Sequence, residues 1–95
     1  MFIHMFAFRF KPNVTAAQKE RVLTEIRELK EQIPEVLESW VGVNVSPRGQ
    51  GYEFGGTMKF TDAAACERYN GHPVHQKLLT WLVPLIEPIE VDFPV

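Results

Sequence analysis

The sequence predicts an α+β fold of the ferredoxin-like kind, β-α-β-β-α-β with the second helix broken, and three observations carry that prediction. Apolar residues recur with period two, then at helical spacing, then with period two twice more, then helically, and finally with period two. The stretch Tyr69-Asn70-Gly71-His72-Pro73-Val74-His75 breaks the second helical segment, because Gly71 suits the left-handed residue that ends a helix and Pro73 suits the first turn of the next. Finally, helices on one side leave the other face of the sheet bare with Ile3, Met5, Ala7 and Trp40 upon it. A bare apolar face predicts a homodimer packed sheet against sheet, an α/β barrel closed by two-fold symmetry.

Phe2 to Phe10 forms the first strand, with Phe2, His4, Phe6, Phe8 and Phe10 on one face and Ile3, Met5 and Ala7 on the other. Lys11-Pro12-Asn13 turns the chain. Thr15 with Gln18 makes a capping box, and Val22, Leu23, Ile26, Leu29 and Ile33 then keep helical spacing until Pro34 ends the run. The charges of that helix, Arg21/Glu25 and Arg27/Glu31 among them, read as a solvated outer face. Val36 to Val45 is a second strand whose apolar set, Leu37, Val41, Val43 and Val45, shares a face with Ser39, and Trp40 lies on the opposite face. After the turn-rich Ser46 to Gly51, Tyr52 to Phe60 is a third strand antiparallel to the second. Gly55-Gly56 within it marks a bulge, a close approach to the backbone or a simple adjustment of twist. Thr61 or Asp62 caps a helix over Ala63 to Asn70, and Val74 to Val83 makes a third short helix with Leu78, Leu79, Trp81 and Leu82. Ile89 to Phe93, alternating apolar and acidic, is the last strand.

Ninety-five residues at 45% hydrophobic content make one domain, residues 1–95. A net charge of -2 with no dense Lys/Arg cluster is the wrong electrostatic footprint for a nucleic-acid binder. No apolar run is long enough to span a bilayer, so no membrane partner is expected, and Cys66, the single cysteine, suits a reducing compartment such as the cytoplasm.

The seven-residue joint puts a phenol and two imidazoles together, and His4 is the third imidazole, far away in sequence. If the fold brings His4 to the same cavity, all of the histidine converges on one site. Read one by one, each has a bland account as well: His75 bonding local backbone at a helix start, His72 capping a proline-started helix, His4 satisfied in the core. His72 and His75 have a spacing that could place two metal ligands on one helical face, but no carboxylate or cysteine cluster completes a set, so no metal and no cofactor is expected.

The residues His4-Met5-Phe6-Ala7-Phe8-Arg9-Phe10-Lys11, Val14-Thr15, Gln18, Ile33-Pro34, Gly42, Gly51-Tyr52, Tyr69, His72-Pro73-Val74-His75 and Val91-Asp92-Phe93 resemble, in order, the stress-responsive dimeric A/B barrel (Dabb) family. The resemblance implies a homodimer with a mostly apolar cavity between sheet and helices in each subunit, in a family most of whose members have no established activity. More distantly the chain is similar to olivetolic acid cyclase, a plant polyketide cyclase of that family. By that similarity His75 is the general base and Tyr69 the hydrogen-bond donor, acting on a small apolar carbonyl compound. His4, His72, Phe6, Phe8, Val22, Leu23, Ile26, Phe54 and Leu78 are then the substrate-binding wall. The chain departs from the cyclase at Glu53-Phe54, where that enzyme has threonine and histidine, and at Gly56. Two functions thus stand side by side: a non-catalytic stress-associated dimer, and a small-molecule enzyme of the cyclase kind.

Overall fold

A computed structural model describes all of residues 1–95. The first strand, β1 (Phe2–Phe10), is followed by helix α1 (Ala16–Gln32), strands β2 (Glu38–Val43) and β3 (Phe54–Phe60), helices α2 (Ala63–Gly71) and α3 (Pro73–Leu82), a single 3-10 turn at Val83–Leu85, and strand β4 (Ile86–Pro94). The sheet runs β2-β3-β1-β4, and every neighbouring pair is antiparallel. This is the ferredoxin-like fold.

Thr15 begins α1 as its capping box requires: its hydroxyl accepts from the Gln18 N–H, and the Gln18 side chain accepts from the Thr15 N–H. Val22, Ile26 and Leu29 of α1 pack with Ile33 onto Phe6, Phe8, Phe10, Met58 and Phe60 of the sheet, which forms the core. Arg21 pairs with Glu25 at 2.6 Å. Arg27 does not turn to Glu31; its guanidinium donates to the Val41 carbonyl at 3.1 Å and ties α1 to β2.

Several details depart from the sequence reading. Strand β2 is shorter than Val36 to Val45, and only Val41 of its apolar set packs on the core; Leu37, Val43 and Val45 are exposed. Asn44 ends the strand by giving its side chain to the following turn, donating to the Tyr52 carbonyl and accepting from the Ser46 N–H. Gly71 is not left-handed. The joint is made by His72, which sits extended at φ -64°, ψ 137° and closes α2 while opening α3, because the residue before a proline is pushed out of the helical region. Strand β4 begins at Ile86, through Pro88, and not at Ile89. It is an edge strand, where a proline can sit with no ladder bond lost.

No bulge interrupts Gly55-Gly56; the β1–β3 register runs unbroken from Phe2↔Phe60 to Phe8↔Phe54. The close approach is by Phe6, directly opposite, whose ring lies where a Gly56 side chain would begin. On the opposite side of the sheet, Met5, Trp40, Ile89, Val91 and Phe93 form an exposed apolar face, with Trp40 61% exposed. No helix is long and apolar enough to cross a membrane.

Candidate functional site

Strand alternation sends His4, Phe6 and Phe8 under the helices, and α2 and α3 lower Tyr69 and His75 onto them. Between these layers lies a cavity of about 40 Å³ lined by His4, Phe6, Phe8, Ile26, Leu29, Tyr69, His75, Leu78, Leu79, Leu82 and Glu90. Seven of the residues singled out in the sequence therefore meet at one wall: His4, Phe6, Phe8, Ile26, Tyr69, His75 and Leu78. Four do not. Val22 is wholly buried in the core away from the cavity, Leu23 packs on the core's margin, and Phe54 stands edge-on to Phe10 with ring centroids 5.1 Å apart. His72 is a cap: its Nδ1 accepts from the Val74 N–H at 3.1 Å.

Within the cavity the rings are close. Tyr69 and His75 have centroids 4.3 Å apart, and His4 lies 6.2 Å from Tyr69. His75 Nδ1 is 3.0 Å from the Asn70 carbonyl oxygen. A carbonyl can only accept, so Nδ1 carries the hydrogen and Nε2 of the neutral ring keeps its lone pair. Burial holds the His75 imidazole below the usual histidine range; the bond to Asn70 and the carboxylate of Glu90 pull the other way, and His4 and His72 add to the lowering. At neutral pH the ring is therefore a base with an open nitrogen. Burial, with smaller contributions from Cys66 and Glu90, pushes the Tyr69 phenol above its usual range, so it remains a hydrogen donor.

Two acidic residues of β4 were not picked out from the sequence. Glu90 lines the cavity, and Asp92 Oδ1 lies 2.5 Å from His4 Nδ1. Their signal was the alternation of the last strand, which puts both on one face, but only the β1–β4 register, His4↔Asp92 and Phe6↔Glu90, shows that it is the helix-covered face. No three His, Cys, Asp or Glu side chains stand together in a metal-binding arrangement.

A ferredoxin-like sheet with helices on one face, an imidazole-lined cavity beneath them and a bare apolar face opposite defines a small class of α+β proteins. The chain belongs to the stress responsive A/B barrel domain family, Dabb, whose family model matches residues 2–95. No curated protein sequence matches it. Among solved structures it is similar to a Dabb family protein with a ferredoxin-like fold from Mesorhizobium loti, at 28% identity and TM-score 0.84, covering 99% of this chain and 95% of that one. It is also similar to a dimeric ferredoxin-like protein of unknown function from Thermobifida fusca, at 25% identity and TM-score 0.86, covering 99% and 90%. A hydroxynitrile lyase from Passiflora edulis shares the fold at TM-score 0.90 with 16% identity, covering 99% and 92%.

Proposed function

We propose that this Dabb chain is a cytoplasmic homodimer whose subunit cavity moves protons on a small carbonyl compound, with His75 as general base and Tyr69 as hydrogen-bond donor. The observation that carries the reading is the bond from His75 Nδ1 to the Asn70 carbonyl, which leaves Nε2 unprotonated in a cavity it shares with a phenol. Such a base, correctly placed against a C–H flanked by carbonyls, contributes about 100-fold to 10,000-fold in rate. Tyr69 then donates to the oxygen on which charge develops. The homodimer rests on the exposed apolar sheet face and on the dimeric description of the Thermobifida fusca protein.

Size narrows the substrate. A cavity of about 40 Å³ has room for a water or two, against about 300–1,000 Å³ for sites that enclose drug-sized ligands. Even a small aldehyde or ketone asks the lining side chains to make room, and a linear polyketide of the kind olivetolic acid cyclase takes asks for far more. The same closeness, with Tyr69 and His75 packed ring to ring, favours a second reading in which the histidines are structural and the dimer is not a catalyst.

Turnover of a panel of small aldehydes, ketones and linear β-polyketide thioesters by the parent protein and by His75→Ala separates the two. A fall of at least 100-fold in the variant, with an unchanged melting temperature, supports the base. Equal rates in both proteins remove it and leave the structural reading in place.

A further inference from the structure

Strands β1 and β4 pair along their whole length, which sets His4 across from Asp92. Their side chains meet: Asp92 Oδ1 lies 2.5 Å from His4 Nδ1, in a contact between a buried imidazole and a carboxylate whose side chain is 40% exposed. A carboxylate accepts only, so the hydrogen belongs to His4 Nδ1, and Nε2 is the nitrogen left free. His75 reaches the same state by a different route, through the Asn70 carbonyl. Two imidazoles with Nδ1 tied down and Nε2 free thus share one cavity with Tyr69. One is held by a neutral carbonyl, the other by a group that can carry charge.

We propose that Asp92 is a positioning residue that makes His4 a second proton carrier, in the cavity it shares with His75 and Tyr69, so that the site enolises a carbonyl compound with a base and an acid acting together. The proposal rests on the reading of His75 as base. The substrate C–H bond breaks, its proton goes to His75 Nε2, and the electron pair passes to the carbonyl oxygen. His4 first takes a proton from water at its free Nε2, giving an imidazolium held by Asp92. The carbonyl oxygen takes that proton from Nε2, His4 returns to the neutral ring with Nδ1–H on Asp92, and the proton on His75 passes back to water. Asp92 fixes the ring's orientation and shares its positive charge before the transfer. Solvent reaches the pair at the Asp92 end. With the Glu90 carboxylate on the same wall, a neutral enolisable aldehyde or ketone suits the cavity better than a carboxylate substrate does.

Long-range proton–nitrogen NMR of the histidine rings tests the positioning directly, without turnover. In the parent protein the neutral His4 ring carries its hydrogen on Nδ1; in Asp92→Asn, whose amide can donate, the hydrogen moves to Nε2 while His75 is unchanged. Asp92→Glu keeps the parent pattern and serves as the reference should Asn fold poorly. An unchanged His4 pattern in Asp92→Asn overturns the proposal. For the chemistry, acetone is incubated in deuterium oxide and its α-hydrogen exchange followed: Asp92→Asn lowers kcat at least tenfold with KM within twofold, and Asp92→Glu recovers part of the loss. Parent-like exchange in Asp92→Asn overturns the second-carrier role. No exchange by the parent protein overturns the His75 reading, and the positioning of His4 is then judged on the ring spectra alone.

Discussion

The three imidazoles differ in which nitrogen is tied, and the tie decides what each ring can do. His72 accepts at Nδ1 from the Val74 N–H and is spent on the joint between two helices, whereas His4 and His75 donate at Nδ1 and keep Nε2 free at the cavity. Burial makes the neutral His75 ring a stability term. Its folded value lies below the ordinary 6.5, so protons bind the unfolded chain more readily; the contribution is present above about 6.5 and is lost as the pH falls toward the depressed folded value. Cys66 acts at the other end. Burial, with Asp92, Glu67 and Glu90 nearby, pushes its thiol from 9.0 up to about 11, so its contribution is present below 9.0 and is lost as the pH rises toward 11. Tyr69, also raised from 10.0, follows at still higher pH. The urea midpoint should therefore be highest between about pH 6.5 and 9. In His75→Gln the drop in midpoint between pH 8 and pH 5.5 should shrink; an identical drop in parent and variant would show that His75 does not contribute to it.

At the scale of the element, Gly56 and Phe6 are one feature. A methyl group on Gly56 would meet the Phe6 ring, which must then turn aside, and stand 2.8 Å from the Trp40 carbonyl oxygen, which can give way only by moving β2. Gly56→Ala should destabilise the fold by about 1–3 kcal/mol, the usual cost of overpacking. Gly42→Ala, where nothing lies within 4 Å of the added carbon, should cost far less. Equal denaturation midpoints for the two variants would show that the Phe6 ring is not confined by the glycine. The legible elements are those whose signals are local. The first strand's aromatic run gave its bounds, the Thr15–Gln18 box gave the start of α1, and Pro73 gave the α2/α3 break even though His72 and not Gly71 makes the turn. What escaped was non-local. Strand β4 takes in Pro88, ahead of the Ile89 start read from the sequence, because it is an edge, and Asp92 became a partner of His4 only through a pairing that joins the two ends of the chain. For the same reason the wall that the resemblance implied took in Val22, Leu23 and Phe54, which pack in or against the core but do not line the cavity.

For the whole molecule, the deciding fact is that the two faces of the sheet are both apolar and only one is covered. Met5, Trp40, Ile89, Val91 and Phe93 stand 40–61% exposed, side by side across β2, β3, β1 and β4 through the register Trp40↔Thr57↔Met5↔Val91. Half exposed, each such side chain forgoes a part of the roughly 1.5–3 kcal/mol that full burial of a large apolar side chain contributes, which a 95-residue domain can hardly spare. Packing this face on a second copy should cover Trp40, so light scattering should report twice 10.9 kDa, and acrylamide should quench Trp40 weakly. Charge placed at the centre of the face, as in Met5→Glu with Val91→Lys, should give a monomer of lower melting temperature, with Trp40 fully open to quencher. Every residue lining the cavity but Glu90 is on a helix or on β1, and none belongs to the open face. A folded monomer should therefore keep the His4 and His75 ring signals of the parent protein. If the charged variant remains a dimer, the contact lies elsewhere on the molecule; if it loses those ring signals while still folded, the second subunit holds the cavity in shape.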